Sequence, residues 1–118
     1  MDIPDQINAY QTELIQKWAK EGPCVIVGRC ADYLLHDSAA CFRVFICGEL
    51  KDRANRVIQE YEIDEKNAEA HIKERDKKRA RYYKHVTDLT WGMAENYDLC
   101  LNSSMLGVDR CVEIIMQA

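Results

Sequence analysis

Short apolar runs alternate along this chain with longer stretches of helical periodicity. Between Pro4 and Lys20, Ile7, Tyr10, Leu14 and Trp18 fall three or four apart, which puts them on one face of a helix that Gly22-Pro23 ends. Cys24-Val25-Ile26-Val27 follows as a continuous apolar run rich in β-branched residues, and Arg43-Val44-Phe45-Ile46-Cys47 and Leu99-Cys100-Leu101 have the same character. Runs that do not alternate suit strands buried on both faces, as in a parallel sheet covered by helices. In such runs Cys24, Cys47 and Cys100 are expected to act as small core residues. Helical patterns fill Leu50–Tyr61 and the stretch from Asp64 to about His85, with Asp64 as N-cap and its carboxylate suiting the helix dipole. A last helix over Val108–Met116 places Val108, Val112 and Ile115 or Met116 on one face. The order helix, strand, helix, strand, two helices, strand, helix predicts an α/β layered fold with about three parallel strands. No repeat or low-complexity linker interrupts it, so residues 1–118 are read as one domain.

Composition narrows the class. With 47% hydrophobic and 31% charged residues the chain is expected to be soluble and globular. No run approaches the ~20 apolar residues that span a bilayer, and Met1-Asp2-Ile3-Pro4-Asp5 lacks the features of a secretory signal, so the expected location is cytoplasmic. The six cysteines form no C-x-x-C pair, and His36, His71 and His85 have no ligand-like spacing, so no metal site is expected.

Charge changes the picture most. The net charge is −4, yet seven of the sixteen Lys and Arg residues lie between Lys73 and Lys84, offset only by Glu74 and Asp76. Such a concentration calls for a nearby anion, and the planar fork of arginine suits phosphate. Arg75 and Arg79 share one helical face, as do Lys77 and Arg81, and Tyr82 and Tyr83 follow with one ring expected to pack. The competing reading is a solvated helix with compensating charges. An acidic protein is not expected to be a general nucleic-acid binder, although stacking of bases on Tyr82 and Tyr83 is the form such binding would take.

Two further clusters sit where parallel sheets bind ligands, at the carboxyl ends of strands. Gly28-Arg29-Cys30-Ala31-Asp32 follows the first run; Arg29 either projects into the crevice or pairs with Asp32 or another acid. Asn102, Ser103 and Ser104 follow the last run and serve either a ligand or the turn toward Gly107.

In order and spacing these pieces resemble the cytidylate kinase-like family of P-loop nucleoside monophosphate kinases. The resemblance is carried by Val25-Ile26-Val27-Gly28-Arg29-Cys30-Ala31-Asp32-Tyr33, by Asp76-Lys77-x-Arg79-Ala80-x-Tyr82-Tyr83 within a lid helix, by Trp91-Gly92, and by Glu95 through Ser104. It implies a three-layer P-loop kinase-like fold with a helical lid at about 64–90, and phosphoryl transfer from ATP with Mg2+ to a nucleoside monophosphate, CMP among the candidates. Arg29, with Asp32, is implied at the acceptor phosphate, and Arg75 and Arg79 at the transferring phosphates. Asp32 and Asp76 are implied to orient arginines or to help position a water-bound magnesium. Lys77, Arg81, Tyr83, Asn102 and Ser103 are further candidates.

One departure stands out. None of Gly22, Gly28, Gly48, Gly92 and Gly107 begins a G-x-x-x-x-G-K-[ST] loop, the cradle for donor phosphates. The chain looks like the C-terminal two-thirds of such a kinase, and on its own is expected to be inactive, with a non-catalytic nucleotide-binding or assembly module as the alternative. The resemblance also implies a strand missing between Cys24–Val27 and Arg43–Cys47. Unpaired edges there favour association of copies.

Overall fold

The computed structural model describes residues 3–37 and 40–118, which divide into two compact units, one reaching Phe42 and one starting at Arg43. In the first unit, α1 (Ile3–Glu21) runs into an irregular stretch and then α2 (Ala31–Leu34). Ile15 on α1 is buried, as are Cys30 just before α2 and Ala31 at its start.

The expected strand at Cys24–Val27 is not formed. Residues 23–27 belong to no helix and no ladder, and Val25 and Val27 are 93% and 88% exposed. A β-branched apolar run favours extended backbone, but a strand also needs a neighbour to take its N–H and C=O groups. Among the described residues the sheet therefore has two strands and not about three.

The second unit holds that sheet. β1 (Val44–Cys47) pairs in parallel with β2 (Leu99–Asn102), Phe45 opposite Cys100 and Cys47 opposite Asn102. Between them lie α3 (Leu50–Tyr61) and α4 (Ala68–Thr87), and after β2 come α5 (Ser103–Leu106) and α6 (Val108–Gln117). Asp64 caps a 3-10 turn at Glu65–Asn67 that leads into α4, its carboxylate accepting from the Lys66 N–H. The packing of α3 on α4 makes the core: Ala54, Ala68 and Ile72 are buried, with Leu50, Val57, Ile58 and Ile63 against them. Alanines at 54 and 68 let the helix backbones approach closely. At the far end of α4 Tyr83 and Thr87 are buried, and the Thr87 hydroxyl donates to the Tyr83 carbonyl and accepts from the Leu89 N–H, closing the helix.

The sheet is less covered than continuous apolar runs suggest. Cys24, Cys47 and Cys100 are exposed and Ile46 is 52% exposed, so these cysteines are not core residues; Cys30 and Cys111 are the buried ones. One face of β1 carries an aromatic cluster, with Phe45 edge-on to Trp91 at 5.4 Å and tilted against Tyr97 at 4.9 Å. A Cβ at Gly92 would lie 3.3 Å from the Phe45 ring, so the ring's seat depends on that glycine. Asp98 fixes the start of the sheet, accepting from the Arg43 backbone N–H and from two nitrogens of its guanidinium. That side-chain bond, more than any other influence, holds the Asp98 carboxyl below its ordinary pKa.

Candidate functional site

The carboxyl ends of β1 and β2 are tied together by small polar side chains. Ser103 Oγ donates to the Cys47 carbonyl at 2.9 Å, and the Glu49 N–H donates to Ser104 Oγ at 2.7 Å. Asn102 Oδ1 accepts from the N–H groups of Ser104 and Met105, capping α5. Gly48 fits closely where these groups converge, since a Cβ there would lie 3.0 Å from Ser103 Oγ and 3.3 Å from Ser104 Oγ and would press on both hydroxyls. Asn102 through its local cap, and Ser103 through its bond across to β1, thus order the crevice floor.

Arg53, in the second turn of α3, stands beside this floor: its Cγ lies 3.5 Å from where a Gly48 Cβ would be. Its guanidinium forms a fork with Asp76 of α4, Nη1 to Oδ2 at 2.7 Å and Nη2 to Oδ1 at 2.8 Å. Arg79, one turn along α4, adds Nη1 to the same Oδ1 at 3.3 Å. One carboxylate thus joins two guanidiniums at the carboxyl end of a parallel sheet. The hydrogen bond from Arg53 is the largest influence holding the Asp76 carboxyl below its usual pKa; partial burial opposes it and the charges of Arg53 and Arg79 add to it. The Arg53 pKa is raised by the same bond.

The remaining residues of the basic stretch behave differently. Arg75 and Lys77 are exposed and make no ion pair among the described residues, and Arg81 reaches Glu74 only at 4.0 Å with both side chains largely exposed, a contact of little energetic weight. Tyr83 is 4% exposed and cannot stack on a base.

In the first unit, the face of α1 bearing Leu14, Ile15 and Trp18 and the irregular residues 22–27 line a cavity of about 730 Å³, and Arg29 also lines it. Gly28, Arg29 and Cys30 have φ of 70°, 59° and 57°, three left-handed residues in succession. For a residue with a Cβ that conformation costs roughly 1–2 kcal/mol, so two such residues together mark a turn held against its local preference. The exposed Arg29 side chain leaves the chain at this turn, while Cys30 turns inward and burial, then the charge of Asp32, pushes its thiol pKa up to about 11. Asp32 sits half-buried in the first turn of α2.

Arg53 escaped the sequence reading because its partner lies 23 residues away and on another helix. Its signal was position: a strand's carboxyl end at Cys47-Gly48 places the opening turns of the next helix at the crevice.

Comparison with known proteins identifies the family. The profile of the cytidylate kinase-like family matches residues 1–105. A cytidylate kinase from Methanopyrus kandleri strain AV19 is 28% identical over 125 aligned positions, covering 99% of this chain and 63% of the relative. A crystal structure of an uncharacterized protein from Eubacterium ventriosum ATCC 27560 superposes with a TM-score of 0.91 at 30% identity, over 99% of this chain and 66% of that one. The chain thus spans a little under two thirds of the length of each. With the family profile matched over residues 1–105, most of its length, this chain belongs to the cytidylate kinase-like family.

Proposed function

We propose that these 118 residues form the acceptor and lid portion of an ATP-dependent nucleoside monophosphate kinase. The supporting observation is the Arg53–Asp76–Arg79 cluster at the carboxyl ends of β1 and β2, where parallel α/β sheets bind ligands. In this reading Arg29 holds the acceptor phosphate, and the strained turn at Gly28-Arg29-Cys30 fixes its direction. Arg79 meets charge that builds on the transferring phosphoryl group, with Arg75 joining it from the same helix. Phosphoryl transfer depends chiefly on positioning and electrostatic stabilisation, so these arginines need no general base beside them.

Among the described residues no three His, Cys, Asp or Glu side chains converge as a metal cage. Magnesium in such a reaction is held largely by the nucleotide's own phosphates. Both Asp76 oxygens already accept guanidinium bonds, which favours orienting arginines as its part in the reaction. The 118 residues contain no glycine-rich donor loop. They are therefore expected to bind nucleotide and to transfer no phosphate alone. Calorimetry with CMP, ATP and inorganic phosphate tests this. The expected result is CMP binding weakened at least about tenfold by Arg29→Ala, with no ADP formed from ATP, Mg2+ and CMP. Absence of nucleotide binding refutes the site, and turnover refutes the requirement for a donor loop.

A second reading, an assembly module, has its own support in the near-complete exposure of Val25 and Val27 on backbone without a ladder partner.

A further inference from the structure

Asp76 does more than tether two helices. Its carboxylate meets Arg53 end-on, both Nη atoms to both oxygens, which is also the geometry in which a guanidinium receives a phosphate. Arg79 gives it a third bond. The face that Arg53 would turn to a phosphoryl group is therefore already filled by a group of like charge. We propose that Asp76 is a resident anion, an autoinhibitory counter-charge that a polyphosphate must displace from Arg53 and Arg79 before binding there.

This rests on the reading above that Arg79 belongs to the phosphate site, and it adds a mechanism of selection. The Arg53 and Asp76 side chains are 35% and 26% exposed, so the clasp is partly solvated and can open without abandoning charges in a dry interior. A small anion such as sulfate, with two charges on one tetrahedral centre, gains little by replacing a carboxylate that is already in place. A di- or triphosphate carries more charge and more acceptor oxygens, and can engage Arg53 and Arg79 together while Asp76 turns to water. The clasp thus favours polyphosphates over sulfate-like anions. It also anchors α4 to α3 when the site holds no phosphate, because the same bonds join the two helices.

The test uses pyrophosphate and sulfate as probes, titrated calorimetrically into the 118-residue chain and its Asp76→Asn variant at neutral pH. Removing the resident charge is expected to tighten pyrophosphate binding about tenfold, the scale of one like charge near a partly solvated site. Sulfate binding should gain more, so that the preference for pyrophosphate narrows. Arg53→Gln in the Asp76→Asn background is expected to cancel the gain. Unchanged or weaker pyrophosphate binding by folded Asp76→Asn overturns the proposal, because a purely structural Asp76 lowers the melting temperature without raising anion affinity. Should Asp76→Asn fail to fold, carboxyl 13C NMR of the unaltered chain decides. Saturating pyrophosphate must raise the measured pKa of Asp76, since the arginines that keep it ionised have turned away, and an unmoved pKa overturns the idea. If CMP and ATP do not bind while the pyrophosphate gain appears, the kinase reading falls and the resident anion stands. Nucleotide binding without that gain overturns the resident anion and leaves the kinase reading in place.

Discussion

Removing the clasp between α3 and α4 gives a measurable stability change that depends on pH. Arg53→Met keeps most of the aliphatic stem and deletes the fork, and Asp76→Ala deletes the acceptor. A charged hydrogen bond with desolvated partners contributes roughly 1.5–3 kcal/mol and an exposed ion pair roughly 0–1. With side chains 35% and 26% exposed the pair lies between these cases, which places its coupling near 1 kcal/mol. Urea unfolding of the four proteins of a double-mutant cycle measures it. Trp91 packs on Phe45 in the second unit, so a Trp18→Phe background makes its fluorescence report that unit. The folded carboxyl of Asp76 titrates below its unfolded value. Its contribution is therefore complete above the unfolded carboxylate range, about pH 4, and is lost as pH falls through the folded pKa. Coupling should be full at neutral pH and shrink in acid. A coupling under about 0.3 kcal/mol at pH 7 would refute the assignment of this pair as a tether, as would a value that acid leaves unchanged.

Gly48→Ala is expected to destabilise by about 1–2 kcal/mol in the same urea assay, because the new methyl meets two hydroxyls that are both hydrogen-bonded; a neutral result would mean that the strand ends yield freely. The exposed run at Val25 and Val27 predicts association of copies at micromolar concentration by light scattering, reversed by Val25→Lys with Val27→Lys. A monodisperse monomer for the unaltered chain would count against the assembly reading.

Much of the fold is legible in the sequence because local patterns settle it. The helices at Leu50–Tyr61 and Val108–Gln117 follow apolar spacing, and Asp64 signals the turn that opens α4. The run at Cys24–Val27 misleads because the sequence of a segment cannot supply its partner: the same four apolar residues are a strand beside another and an unpaired, largely exposed stretch without one. The exposed Cys47 and Cys100 mislead for the related reason that burial of a sheet face is decided by the elements laid over it. In the site, Asp76 and Arg79 are legible together, three residues apart on one helix. Arg53 is not, because its pairing is tertiary. Asn102 and Ser103 show how polar residues at a strand end serve geometry as readily as ligand.

The parallel pairing of Val44 with Leu99 joins positions 55 residues apart. Closing so long a loop costs chain entropy before any ladder bond rewards it, whereas α3 and α4 are neighbours along the chain and can dock early. The expected folding order is therefore the helical pair first, with Arg53 meeting Asp76, and β1 with β2 last. Until that final step the carboxyl ends of the strands do not exist as a crevice. The candidate site is thus the slowest part of this unit to appear, and the first to vanish when the strands part.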